Sequence, residues 1–208
     1  MTVTAPSIKS AEGPVARHIA RVAARLFATQ GYDATSVREI VESAGVAKPT
    51  LYYYFQSKEG LARALVRLPL ANLVEQLRQI VTTEPDPVVC LERILEAHFA
   101  FCREDPDRSR FLYALIFGPP GSEPAHDLEC CKEDLVRWIE KAISRLADAG
   151  IIARGREGTC ATVYRGLIVI ATLDFLYGEK PLGTGLARSL VSGLLDGFDE
   201  RPSKRGAK

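Results

Sequence analysis

The chain lacks the features that mark exported, membrane-spanning and hydrolytic proteins. No Lys- or Arg-led apolar start of roughly 7–15 residues leads into a small-residue cleavage site, and no uninterrupted run of about 18 apolar residues is present. Export and membrane spanning are therefore not expected, and the expected compartment is the cytoplasm. Cysteine is sparse and odd in number, at five (Cys90, Cys102, Cys130, Cys131 and Cys160), which argues against a disulfide framework. Histidine is sparser still, at three, and there is no Gly-rich phosphate loop, GxSxG elbow or HExxH pair. No nucleophile–base constellation can be nominated, so neither catalysis nor a cofactor is expected. Strand-like alternation and internal repeats are missing too, which leaves helices as the building material.

Two spacings stand out among these few residues. His98 with Cys102, and His126 with Cys130, are i, i+4 pairs, which puts two borderline or soft ligands on one helical face as zinc or copper would require. Buried cysteine is more commonly a small hydrophobe, so no metal site is assigned. Sensing of a metal or a thiol-reactive compound stays open as an alternative role.

What is present is an ordinary apolar content and an uneven charge. With 208 residues, 47% of them hydrophobic, the chain can bury a substantial core in one or two domains. Net charge is only +1, yet residues 1–68 hold nine Lys/Arg against five Asp/Glu, and the remainder holds eighteen against twenty-one. The basic end also carries the most informative segment, GYDATSVREIVESAGVAKPTLYYYFQSKEGL, residues 31–61. Ser36 and Glu39 have capping-box spacing, so a short helix starts there. Val37, Ile40, Val41 and Ala44 form its apolar face, and Gly45 stops it. A second short helix is predicted over 48–55, with Val46, Leu51 and Phe55 as the buried side. A turn that tight sets two helices at a steep angle, the helix-turn-helix arrangement. Lys48, Pro49, Thr50, Tyr52 and Tyr53 remain outward: a cation, hydroxyls and flat rings of the kind that bond phosphates and pack on sugars and bases. Ser57 fits the N-cap of the next helix, and Lys58 then sits where a helix N-terminus and a cation would point at one phosphate. Upstream, Ile19, Val22, Ala23, Leu26 and Phe27 define a helix over 14–30, with Arg17, Arg21 and Arg25 on its other face.

Residues 14–65 resemble the DNA-binding domain of the TetR family of bacterial transcriptional regulators. The likeness rests on GYDATSVREI, the AGV turn, the LYYYF tip and the SKEGL start of the following helix. It implies that Thr35, Ser36, Lys48, Thr50, Tyr52, Tyr53 and Lys58 face double-stranded DNA. Ala47 stands where many members have Ser or Thr, and Pro49 where many have Gly; proline is tolerated in a first helical turn.

The expected organisation is all-α: a flexible arm (1–12), a three-helix helix-turn-helix DNA-binding domain (13–65), a helical-bundle regulatory and dimerisation domain (66–200) and a flexible tail (201–208). Helices are predicted over 58–82, with a bend at Pro69, then over 86–103, 109–117, 124–149, 156–177 and 184–198, separated by Pro- or Gly-rich punctuation. On the last two, Leu186, Leu190, Leu194 and Phe198 form one apolar stripe beside Gly193 and Gly197, and Val163, Gly166, Leu167, Ile170 and Ala171 form another. In TetR-like proteins such a helix pair builds the homodimer interface. The resemblance also implies a small-molecule pocket among the middle helices, for which His98, Phe99, Cys102, Tyr113, Phe117, Trp138 and Tyr164 are the candidate lining. Few of these carry charge, which favours a neutral or lipophilic effector. The expected function is a ligand-responsive regulator, a repressor, that binds a palindromic operator as a homodimer.

Overall fold

The computed structural model describes residues 13–118 and 123–197. The arm over 1–12, the tail over 201–208 and the Phe198 end of the last apolar stripe lie outside the described residues. Those described form nine α-helices and no strand: α1 (Pro14–Gln30), α2 (Val37–Ala44), α3 (Lys48–Phe55), α4 (Lys58–Thr83), α5 (Pro87–Glu104), α6 (Pro106–Phe117), α7 (Glu123–Asp148), α8 (Glu157–Tyr177) and α9 (Leu186–Asp196). The fold is all-α.

The helices fall into two compact units, one of residues up to Asn72 together with Asp105–Cys131, the other of Leu73–Glu104 together with the residues from Lys132 onward. The first unit is larger than the three-helix reader expected from the sequence, because α6 packs along α1. Phe27 of α1 is fully buried, with its ring 5.0 Å from Phe111 of α6 and 5.2 Å, edge-on, from Tyr32. Ile19, Ala23, Ile40, Leu51, Leu61 and Ala62 complete this core. Arg25 of α1 approaches Asp107 of α6 at 3.7 Å, and Arg63 and Arg67, one turn apart on α4, both reach Asp127 of α7, at 3.0 and 3.5 Å. Helix α6 begins at Pro106, three residues before the expected start. Asp105 caps it by accepting from the Arg108 N–H at 2.9 Å, and Pro106 follows where no N–H is needed.

The second unit is built on α5, α8 and α9 with the later parts of α4 and α7. Leu91, Ile94, Leu95 and Phe99 of α5, Ile143 and Leu146 of α7, Cys160 and Tyr164 of α8 and Val191 of α9 are its buried centre. Arg145 of α7 donates to the carbonyls of Val81 and Pro85, each at 2.9 Å, and to that of Glu84. One guanidinium thereby holds the last turn of α4 and the two residues after it against α7. Helix α4 itself continues through Pro69, which removes one intrahelical donor without ending the helix.

Candidate nucleic-acid interface

The geometry of the interface starts at the caps. Ser36 is in extended backbone, and both halves of its capping box are made: the Glu39 N–H donates to Ser36 Oγ at 3.2 Å, and the Ser36 N–H donates to Glu39 Oε2 at 2.8 Å. The Ser36 backbone and hydroxyl hold the Glu39 carboxyl below the ordinary carboxylate range. At its other end α2 stops on Gly45, which is left-handed at φ 63°, and the Val46 N–H closes the turn onto the Val41 carbonyl at 3.0 Å. A residue with a Cβ would be strained there. Helix α3 then begins after Ala47, which supplies no side-chain cap, with Pro49 in its first turn.

Leu51 and Phe55 anchor α3 in the first unit's core, and this turns Tyr52 and Tyr53 outward, the latter 76% exposed. Lys48 and Pro49 are exposed and Thr50 is half-buried beside them. The Lys48 ammonium lies 5.8 Å from the centre of the Tyr52 ring. Two supporting features carry no sequence signature. Tyr54, half-buried, stands edge-on to Tyr53 at 5.0 Å and so fixes the ring beside it. Gln56, which caps the end of α3, sits at φ 66°, a conformation unusual for a residue other than glycine.

Ser36, Lys48, Pro49, Thr50, Tyr52 and Tyr53 thus lie at one helix-turn-helix. Thr35 and Lys58 are placed differently from the expectation. Thr35 is 1% exposed, and its hydroxyl donates inward to the Gly31 carbonyl at 2.7 Å, so it offers no group to a partner. Lys58 donates to the Tyr32 and Thr35 carbonyls at 3.0 and 3.1 Å, which turns its ammonium toward the protein.

The expected pocket residues take mostly structural places. In the second unit Phe99 and Tyr164 are closed into the core, and the Tyr164 hydroxyl donates to the Leu91 carbonyl at 2.7 Å. Burial raises this phenol well above its usual pKa. Cys102 is buried 3.8 Å from the Thr172 hydroxyl. His98 uses Nδ1 on the Ile94 carbonyl at 2.9 Å, and burial lowers its pKa. Trp138 is half-buried, with the Lys141 ammonium 4.5 Å from its ring centre. In the first unit Tyr113 and Phe117 stack obliquely at 6.0 Å, with Phe117 exposed. A groove of about 480 Å³ in the second unit runs between α4 and α5 and is lined by Gln76, Gln79, Ile80, Thr83, Arg93, Glu96, Ala97 and Ala100. None of the expected lining residues belongs to it. Among the described residues no three His, Cys, Asp or Glu side chains gather as a metal site would need. The Cys130 side chain lies outside the described set, and His126 is exposed. Burial raises the thiol pKa of both Cys90 and Cys160, which disfavours the reactive thiolate.

The expected interface stripes also separate. On α9 the inward face is Ala187, Val191 and Leu194, so Leu194 serves the core of its own chain, while Leu186 and Leu190 are half-buried and Gly193 is exposed. The open apolar surface is on α8 instead. Val163, Ile170 and Tyr177 are 41%, 60% and 62% exposed, and Gly166 is exposed between the first two. Among the described residues α8 is the one helix long and apolar enough to cross a membrane by length and composition, and a third of its most apolar window (33%) is buried.

The sequence pattern of the bacterial regulatory proteins of the tetR family matches residues 19–65, the helices just described. The HTH-type transcriptional activator FasR of Mycolicibacterium smegmatis is 36% identical over 91 residues, 44% of this chain and 42% of that protein. The HTH-type transcriptional repressor KstR2 of Rhodococcus jostii is 36% identical over 78 residues, 38% of each chain. The chain thus spans about two fifths of the length of these curated relatives. Its fold is shared more widely: the regulator FadR of Bacillus subtilis, solved in complex with stearoyl-CoA, superposes with a TM-score of 0.68 at 19% identity, over 87% of this chain and 98% of that one. The segment that matches, with its capped α2, left-handed Gly45 and tyrosine-tipped α3, is a helix-turn-helix like that of the tetR family of bacterial regulatory proteins.

Proposed function

We propose that the chain is a ligand-responsive transcriptional regulator of the cytoplasm, a repressor that binds a palindromic operator as a homodimer and leaves it when a small, mostly apolar effector binds. The observation that carries this reading is α3 itself. Two buried anchors, Leu51 and Phe55, hold Lys48, Pro49, Thr50, Tyr52 and Tyr53 outward on one short helix behind a tight turn. Such a helix can enter a major groove, and Ser36 at the start of α2 offers a hydroxyl to the flanking phosphates. The excess of basic residues lies in the same part of the chain.

The homodimer reading is supported by the open α8 face. Val163, Gly166 and Ile170 form an apolar strip with a small residue at its centre, which permits close approach by the same helix of a second copy. A dimer supplies the two reading helices that a palindrome requires. For the effector, the few charges among the expected lining residues (His98, Phe99, Cys102, Tyr113, Phe117, Trp138 and Tyr164) favour a lipophilic molecule, and the stearoyl-CoA bound by the FadR protein makes acyl thioesters the first compounds to titrate. The KstR2 protein is named a repressor and the FasR protein an activator, and repression is the direction proposed here. Gel-shift titration on the DNA upstream of the chain's own coding sequence, with shuffled DNA as competitor, tests the reading. A discrete complex that survives shuffled competitor supports it, and equal competition by both DNAs refutes it.

A further inference from the structure

Lys58 opens α4 one residue after the Ser57 cap, whose Oγ accepts from the Gly60 N–H at 3.0 Å. An exposed lysine at a helix N-terminus would be a natural phosphate ligand. The contacts of this one run the other way. Its ammonium has three hydrogens to donate. The Tyr32 carbonyl lies at 3.0 Å, the Thr35 carbonyl at 3.1 Å, and the Tyr32 ring centre at 4.4 Å, within cation–π range. The three contacts enclose the charge on the side of the α1–α2 loop. The same loop is tied within itself by the Thr35 hydroxyl, which donates to the Gly31 carbonyl at 2.7 Å. Thr35 directly precedes Ser36, the cap of α2, and Tyr32 is wedged edge-on against Phe27 of the core. Withdrawing the ammonium to reach a phosphate would leave two carbonyls without their charged donor.

We infer that Lys58 is a positioning residue for DNA binding: it ties the first turn of α4 to the loop that ends at the α2 cap, and does not itself hold a phosphate. This rests on the proposed DNA-binding function, and it assigns Lys58 the opposite task from the one its place in the sequence suggests. Operator contacts made by Ser36 and the start of α2 then depend on Lys58, whereas the count of phosphates neutralised does not.

Two measurements test this on the full chain. The first is acetylation by an amine-reactive ester, read lysine by lysine by mass spectrometry, with and without duplex DNA selected by the protein from a random library. Lys58 should react more slowly than the exposed Lys48 in protein alone, and DNA should slow Lys48 while leaving Lys58 unchanged. A Lys58 that reacts as fast as Lys48 without DNA overturns the inference, as does a Lys58 slowed by DNA to the same extent as Lys48. Failure of DNA to slow Lys48 would count against the DNA reading instead, and the rate of Lys58 in protein alone would still decide its own place. The second measurement is the salt dependence of DNA affinity for Lys58→Met, with its melting curve to show that it is folded. Discrimination between selected and shuffled duplexes should fall, Lys58→Arg should restore it, and the slope of log affinity against log salt should match the wild type. A slope shallower by about 0.9, the signature of one lost phosphate contact, overturns the inference. If Lys58→Met does not fold, the acetylation rates decide.

Discussion

Tyr53 keeps 76% of its surface open although it sits in a run of four aromatic residues, because Leu51 and Phe55 on either side take the inward positions of α3. Such an exposed ring, held edge-on by Tyr54, is well placed for contact with a base or sugar. Tyr53→Ala should weaken operator binding by about 1–3 kcal/mol with no change in melting temperature, as read by anisotropy titration and circular dichroism. Unchanged affinity would remove Tyr53 from the interface. His98 illustrates the opposite case, a half-buried polar residue whose ring bonds to its own helix at the Ile94 carbonyl. Burial lowers its pKa below the usual value near 6.5, so the unfolded chain takes up this proton at higher pH than the folded one. The stability it contributes as a neutral ring is complete above about pH 6.5 and is lost as the pH falls from there through its folded-state pKa. Between pH 7 and 5 the wild type should therefore lose more melting temperature than His98→Gln, and parallel losses would show that His98 does not titrate with unfolding. The aromatic and hydroxyl tip was legible in the residues because helical spacing alone separates it from Leu51 and Phe55. The inward turn of Thr35 and Lys58 was not, since it depends on where the loop carbonyls of Gly31, Tyr32 and Thr35 point.

At the level of the element, α1, α2 and α3 have the boundaries expected from their punctuation, with Pro14, Ser36 and Gly45 each doing the local work of starting or stopping a helix. The expectation was least accurate where the stop signals were ambiguous. Helix α6 starts three residues early because Asp105 caps it and Pro106 fits its first turn. Which apolar stripe of a helix faces inward is a tertiary decision, and this is why Leu194 turned out to belong to the core while the apolar face of α8 stays open. The end of α3 shows a local rule broken. Gln56 holds φ 66°, where a side chain is strained, and its N–H still closes onto the Tyr52 carbonyl at 2.9 Å. Close packing leaves little room for relief nearby, for a Cβ on Gly60 would lie 2.0 Å from the Phe55 carbonyl oxygen. Gln56→Gly should therefore stabilise the protein by about 1 kcal/mol, a rise in melting temperature of roughly 2–4 °C for a chain of this size. A lower melting temperature would mean that the Gln56 side chain makes up for the strain by contacts of its own.

For the whole molecule the proposed function requires assembly on DNA. If α8 pairs with its copy in a second chain, Ile170→Arg places a charge without a partner in a dry interface, at a cost of several kcal/mol, and should yield folded monomers in sedimentation at micromolar concentration. Because Ile170 is exposed in the single chain, the substitution should leave the fold intact, and a wild type that is already monomeric would discard the α8 interface. A dimer presents two copies of α3, which must lie about 34–36 Å apart to occupy successive turns of the major groove. Affinity for such a site is dominated by phosphate neutralisation and must fall steeply with salt, by a slope of about 0.9 for each phosphate contacted, while the preference for one sequence survives. The most direct test is therefore an anisotropy titration of the wild-type chain, at several salt concentrations, on a palindromic duplex selected from a random library and on its shuffled counterpart. Regulation by DNA binding requires a slope corresponding to several phosphates and a preference of about 10³ or more for the selected duplex at physiological salt. Equal affinity for the two duplexes at every salt concentration would contradict it.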